Sequence, residues 1–212
     1  MEQGEALYME IGAATSSVVG ACCALYAFGS HSGMQAIFDR YLWQSHLQSY
    51  SVWDIKTLTS PLIHRNINKF GFNHWHILPN MVCLFIFSSG LEPKRRNSLE
   101  HLLSIIGISL FSVAGTTGWV KHYGCGFSNV VTGLAMETLC DRKAGWGKVG
   151  WRRWVASLWI LGMSGYALAE FPKRGSCPMK YDSMHLGHGL GAVAGLVSLF
   201  IFKTQNNEPA HA

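Results

Sequence analysis

Six apolar stretches, nearly free of charge, divide the 212-residue chain. Residues 11–38, 70–91, 101–120 and 183–202 hold 28, 22, 20 and 20 residues without Asp, Glu, Lys or Arg. A helix of about 20 apolar residues crosses the hydrocarbon core of a bilayer, which is about 30 Å thick. We number these stretches spans one, two, three and six, and each is predicted to be a transmembrane helix.

Two further stretches are shorter or interrupted. Span four, residues 122–140, contains Glu137, and span five, residues 154–169, has only 16 residues. Sixteen residues rise about 24 Å as a helix, less than the hydrocarbon core, so these segments must pack inside their neighbours or reach a water-filled recess. Six transmembrane helices are the expectation. The alternative is four spans with two buried or re-entrant helices.

The composition agrees with a membrane protein. The chain is 49% hydrophobic and 14% charged, whereas soluble proteins carry about 25% charged residues. High hydrophobicity, the lack of a heptad pattern and only six cysteines exclude a disordered chain, a coiled coil and a disulfide-stapled domain. The predicted fold class is therefore an all-α polytopic membrane protein. Basic loops beside anionic headgroups explain the net charge of +5, and no nucleic-acid partner is predicted.

The distribution of Lys and Arg predicts the orientation in the membrane. Basic residues follow spans two and four, and the positive-inside rule places those loops in the cytoplasm. They are Lys94, Arg95, Arg96, Arg142, Lys143, Lys148, Arg152 and Arg153. Both termini are then cytoplasmic: a short N-terminus (1–10), a membrane domain (11–203) and a polar tail (204–212). The aromatic segment 31–69 lies outside, either as an interfacial amphipathic hairpin or as an ordinary aromatic belt.

The N-terminus bears on the choice of membrane. It carries three acidic residues and no basic one before span one, unlike a secretory n-region or an Arg-rich transit peptide. We expect span one to be retained as an anchor. A membrane of the secretory pathway or the plasma membrane is favoured over a mitochondrial one.

Three polar clusters inside the spans suggest chemistry, because a polar group in hydrocarbon must be paired or hydrated. Near the start of span four, Ser128 stands two residues after Gly126, where a glycine-rich turn can bring backbone N–H groups near a reacting atom. In span six, Gly191 and Gly195 share the face of His188 and allow close helix packing. On span two, His76 and Asn80 share one face. A hydroxyl, a base and hydrogen-bond donors are the components of an acyl-transfer site.

These residues resemble the rhomboid family of intramembrane serine proteases. The family pattern is a His-x-x-x-Asn helix, a Gly-x-Ser-Gly helix start and a His-x-x-Gly-x-x-x-Gly helix, in that order. The corresponding residues are His76 and Asn80, then Gly126, Ser128 and Asn129, then His188, Gly191 and Gly195. The resemblance covers residues 60–200, and Gly90-Leu-Glu92 closes span two as in many rhomboids. It implies a Ser128–His188 dyad, an oxyanion site helped by His76 and Asn80, transmembrane protein substrates, and no metal or cofactor.

The sequence departs from the family pattern in two places. Asn129 stands where the family usually has glycine, so its side chain either crowds the oxyanion site or adds a donor, and an inactive rhomboid-like protein that binds membrane clients is the alternative. Residues 64–73 resemble the span-two motif in an earlier register, with Lys69 in the place of the histidine. We prefer His76, because it retains an imidazole and leaves an apolar run of the expected length.

Several other assignments remain open. His185, three residues before His188, is expected to be a solvated residue near the outer interface. The spacing of His185 and His188, with His74 and His76, also fits a His-ligated membrane metalloenzyme. Such sites usually need more His clusters on cytoplasmic loops. Glu137 is expected near the cytoplasmic side, where its charge is solvated, and is not placed to orient the dyad.

Overall fold

The computed structural model describes residues 12–30, 59–62, 74–95, 97–120, 127–141, 150–172 and 178–202. These residues are helical, with six α-helices and one short 3₁₀ helix at Ser60–Leu62. The α-helices are α1 (Ala13–Ser30), α2 (His74–Arg95), α3 (Ser98–Val120), α4 (Ser128–Cys140), α5 (Gly150–Glu170) and α6 (Pro178–Ile201). Each corresponds to one predicted span, which confirms the helical fold class for the described part of the chain. Most of segment 31–69, residues 1–10 and the tail 204–212 lie outside the described residues.

Two of the described helices are long and apolar enough to cross a bilayer. They are Ser98–Trp119 in α3 and Met184–Ile201 in α6, with a mean hydropathy of 1.5. Shorter apolar stretches occupy Ala13–Phe28 in α1 and Ile77–Glu92 in α2.

Some predicted helix boundaries were wrong. Helix α2 continues through Arg95 rather than closing at Glu92, and α4 begins at Ser128, not at residue 122. Helix α5 has 21 residues because it begins at Gly150, so Arg152 and Arg153 belong to its first turn and not to a loop. Both arginine side chains are buried. A charge-free window could not detect this extension, because it stops at the first Arg.

Polar side chains occupy much of the interior, and large apolar side chains cover much of the outer surface. The buried polar residues include Ser104, Ser112, Thr116, Asn129, Thr132, Glu137 and Ser198. The exposed apolar residues include Leu99, Leu103, Trp154, Leu158, Leu161, Leu168 and Phe200. A soluble protein rarely exposes so many apolar side chains together. The distribution is typical of helices that pack through small and polar residues within an apolar surround.

Helix α4 is the central element of the bundle. With 13 residues it rises only about 20 Å, yet it packs against α2, α3, α5 and α6. Nine of its residues are buried, including the apolar residues Val130, Val131 and Leu134 and the polar residues Asn129 and Thr132. A residue at the start of α4 is therefore held by contacts with several helices at once.

Candidate active site

Ser128 and His188 form a hydrogen bond between α4 and α6. The distance from Ser128 Oγ to His188 Nε2 is 2.8 Å, and both side chains are partly buried. A neutral imidazole accepts at Nε2 only when its proton is on Nδ1, and a hydroxyl that donates to that nitrogen can lose its proton to it. The structure thus brings together the two side chains that the sequence paired, although their catalytic roles remain a prediction.

Glycines allow the two helices to approach closely enough for this bond. A Cβ atom built on Gly191 would overlap the backbone carbonyl of Asn129, and one on Gly195 would overlap the carbonyl of Gly133. A Cβ on Gly133 would lie 2.7 Å from the carbonyl oxygen of Gly191. Cβ atoms do not occur at such distances, so α4 and α6 are in backbone contact along two turns. Gly191 is one turn from His188, and Asn129 adjoins Ser128, so this contact fixes the separation of the dyad.

The first turn of α4 provides backbone donors beside Ser128. Phe127, the residue before the helix, makes no side-chain capping hydrogen bond, and the first N–H groups of an α-helix lack partners within the helix. Donors at a helix N-terminus suit a developing oxyanion. Gly126, which the sequence placed beside this turn, lies outside the described residues.

The predicted accessory residues on α2 are only partly described. Asn80 is 1% exposed, and its Nδ2 has no hydrogen-bond partner among the described residues. An amide buried without a partner costs about 1–3 kcal/mol, so its presence suggests a ligand or a reacting group. His76 lies in the first turn of α2, but its side chain lies outside the described residues.

Asn129 uses its amide for packing. The side chain is buried, and Nδ2 donates a hydrogen bond to Ser112 Oγ on α3. The Ser112 hydroxyl lies 2.8 Å from the carbonyl oxygen of Ile108. The sequence led to two expectations for this side chain, that it crowds the oxyanion site or that it adds a donor there. Neither describes the hydrogen bond of the amide to Ser112. The Asn129 amide instead joins α4 to α3.

His185 lies near the dyad without bonding to Ser128. Its ring is 6.3 Å from that of His188 and 5.8 Å from that of Tyr166 on α5, measured between centroids. The side chain is partly buried beside these two rings, whereas the expectation from the sequence was a solvated residue. Tyr166 follows from no sequence motif, because only the packing of α5 brings it near.

Two polar contacts near the dyad were not predicted. The Thr132 hydroxyl lies 2.6 Å from the carbonyl oxygen of Ser128, and the indole N–H of Trp159 donates to Thr132 Oγ1 at 3.1 Å. Together they connect α5 to the first turn of α4. The position of Thr132, four residues after Ser128, was a signal for the first contact, since threonine in a helix often bonds to the carbonyl four residues earlier.

Glu137 is fully buried, which corrects the expectation that its charge is solvated. Its Oε1 accepts a hydrogen bond from Ser104 on α3 at 3.1 Å, and Ser104 lies 2.6 Å from Ser198 on α6. The carboxylate therefore joins three helices, nine residues along α4 from Ser128. It is a structural residue at the other end of the helix from the dyad.

The metal alternative was compared with the described side chains. Among them, no group of three His, Cys, Asp or Glu residues is arranged to hold a metal ion. His74 and His76, which the alternative pairs with the span-six histidines, have side chains outside the described residues.

Comparisons with known proteins add no relative: no protein-family model matches the chain, and no curated protein matches it.

Proposed function

We propose that the protein is a six-span membrane protein that hydrolyses peptide bonds in or near transmembrane segments of other proteins, as rhomboid-type serine proteases do. The observation that carries the proposal is the 2.8 Å contact between Ser128 Oγ and His188 Nε2 in a glycine-lined helix contact. The two apolar helices and the apolar outer surface support a membrane location.

In the proposed reaction, the Ser128 hydroxyl attacks the scissile carbonyl while His188 Nε2 accepts its proton. The same imidazole then gives that proton to the leaving amine, and a water molecule, deprotonated by His188, hydrolyses the acyl-enzyme. The first-turn N–H groups of α4 and the unpaired Nδ2 of Asn80 are suited to hold the oxyanion. Each such donor contributes about 3 kcal/mol by analogy with oxyanion-hole deletions.

The buried carboxylate on α4 is not placed to orient the His188 imidazole. Glu137 is committed to Ser104 on α3 and lies two and a half turns from Ser128. Close backbone packing takes over part of the orienting role, because His188 is one turn from the Gly191 contact. The dyad assignment comes from the resemblance, and the geometry is compatible with it.

Cleavage in proteoliposomes tests the proposal. We expect the wild type to cleave a generic transmembrane rhomboid substrate and to react with a serine-directed fluorophosphonate, and Ser128→Ala to do neither. Ser88→Ala is the matched control, because Ser88 is a buried serine two turns along α2 from Asn80. Equal product from the wild type and Ser128→Ala would end the protease proposal. Failure of the folded wild type to label would favour a non-catalytic, client-binding protein.

A further inference from the structure

The first turn of α5 holds a buried arginine whose charge is poorly compensated. Arg152 is 8% exposed, and its Nη2 donates a long hydrogen bond of 3.4 Å to Ser89 Oγ on α2. Its guanidinium lies 5.3 Å from the ring centre of Trp151. Within the described part of the chain, no carboxylate pairs with Arg152, and its Nε has no hydrogen-bond partner. A buried charge of this kind is unfavourable unless an anion approaches it.

The position of Arg152 in the helix increases the demand for an anion. The N-terminus of a helix carries partial positive charge, and acidic residues usually compensate it. The first turn of α5 has no acidic residue, and Arg152 and Arg153 add two cations there. The neighbouring Arg153 is held differently, because its Nη2 donates to the backbone carbonyl of Asp141 at the end of α4. Arg152 has no such backbone carbonyl partner, and its only hydrogen bond among the described residues is the long one to Ser89.

The surroundings of Arg152 indicate the source of the anion. Trp151 and Trp154, on the same turn of α5, are 38% and 71% exposed. Exposed tryptophans at the end of an apolar helix are typical of the headgroup layer of a membrane. A cationic helix end flanked by interfacial aromatics attracts the phosphate of an anionic lipid.

We propose that the N-terminal turn of α5 binds the phosphate group of an anionic phospholipid through the guanidinium of Arg152. The phosphate accepts charge-assisted hydrogen bonds from the guanidinium and lies at the positive end of the helix. Because Arg152 contacts Ser89 beside Gly90, the bound lipid would join α5 to α2. The inference rests on the membrane location in the proposed function and not on proteolysis.

Thermal unfolding of the purified full-length protein in detergent tests the lipid site. Phosphatidylglycerol is titrated against diacylglycerol, which lacks the phosphate, and against inorganic phosphate, which lacks the lipid. We expect phosphatidylglycerol alone to raise the unfolding midpoint at low concentration. In Arg152→Gln, the half-saturating lipid concentration should rise about tenfold, or about 1.4 kcal/mol, because the charge-assisted hydrogen bonds to the phosphate are lost.

Two further variants keep the test decisive. Lys173→Gln removes the same charge just beyond the other end of α5 and should bind the lipid as the wild type does. Arg152→Lys keeps the charge but loses the planar arrangement of donors, so it should bind the lipid with intermediate affinity. This variant replaces Arg152→Gln in the test if Arg152→Gln does not fold. An equal response to lipid in the wild type and the Arg152 variants would overturn the proposal. So would an equal response to diacylglycerol or to inorganic phosphate.

Labelling of Ser128 separates this inference from the proposed function. If Arg152→Gln loses lipid binding but its Ser128 still reacts with fluorophosphonate, the result supports the lipid site and leaves the protease proposal intact. A wild type that binds phosphatidylglycerol but never labels supports the lipid site and contradicts the protease.

Discussion

Replacement of Gly191 by alanine should move Ser128 and His188 apart without removing any atom of either side chain. The Cβ of an alanine at position 191 would overlap the carbonyl oxygen of Asn129, which is backbone and cannot rotate away. Ordinary contacts between heavy atoms begin near 3.5 Å, so relief of the overlap requires α4 and α6 to separate by about 1 Å at this level. Ser128 is adjacent to Asn129 in sequence, and His188 is one turn from Gly191.

The expected effect on the site follows from that shift. An increase of about 1 Å in the 2.8 Å contact between Ser128 and His188 breaks the hydrogen bond, because the bond weakens beyond about 3.2 Å. A misplacement of this size can reduce a rate about a hundredfold. The effect on stability is smaller: overpacking costs about 1–3 kcal/mol, and alanine regains up to about 1 kcal/mol over glycine in a helix. The variant should therefore fold and label about a hundredfold more slowly than the wild type.

Gly189 provides the matched control on the same helix. Nothing lies within 4 Å of a Cβ built on Gly189, so Gly189→Ala introduces the same methyl group without an overlap. The rate of fluorophosphonate labelling and the midpoint of unfolding are measured for both variants and the wild type, with Ser128→Ala as the blank. Gly189→Ala should label normally and be as stable as the wild type or slightly more so. Labelling of folded Gly191→Ala at the wild-type rate would refute the argument that backbone contact sets the dyad.

Three further predictions concern residues around this contact. Asn129→Gly should still react with fluorophosphonate, but its unfolding free energy should fall by about 1–2 kcal/mol because the hydrogen bond to Ser112 is lost. A tenfold loss of turnover in a stable variant would show instead that the amide takes part in the reaction. Glu92→Gln should lower the unfolding free energy, measured by denaturant titration, by about 1–3 kcal/mol, since the carboxylate accepts hydrogen bonds from two backbone N–H groups at the start of α1. Unchanged stability would contradict this role. His185→Ala should retain measurable turnover whereas His188→Ala abolishes it, and the reverse pattern of activity would place the base one turn away.

The sequence predicted the helices well where apolar runs were long. Charge-free stretches located α3 and α6 to within a few residues, because few other structures accommodate 20 such residues. The boundaries of α4 and α5 were less predictable, since glycines precede the first and buried arginines begin the second. The sequence pattern does not distinguish an arginine that is buried between helices from an arginine in a loop. Only tertiary contacts, such as that of Arg152 with Ser89, distinguish the two.

The candidate site was predictable in its residue types and not in its supporting contacts. The spacing of Gly191 and Gly195 from His188 predicted one face of α6, and that face is the one against α4. The partner of Asn129 was not predictable, because serines on α3 have no motif and any of several faces could have met α4. Pairwise contacts between distant segments need the fold, whereas spacing within one helix needs only its period.

The polar residues of the interior have a common physical purpose. In the membrane location proposed above, apolar burial between helices provides little driving force, so small residues and hydrogen bonds must select the packing. Asn129 joins α4 to α3 near the dyad, and Glu137 joins α4 to Ser104 of α3 and, through it, to α6 near the other end. Glycine contact fixes the distance between α4 and α6, and these two polar contacts fix the position of α4 along and around its axis. The hydrogen bond between Ser128 and His188 keeps its length only when the distance, the height and the rotation of α4 are all held. This explains why a 13-residue helix carries buried polar groups both near Ser128 and near its other end.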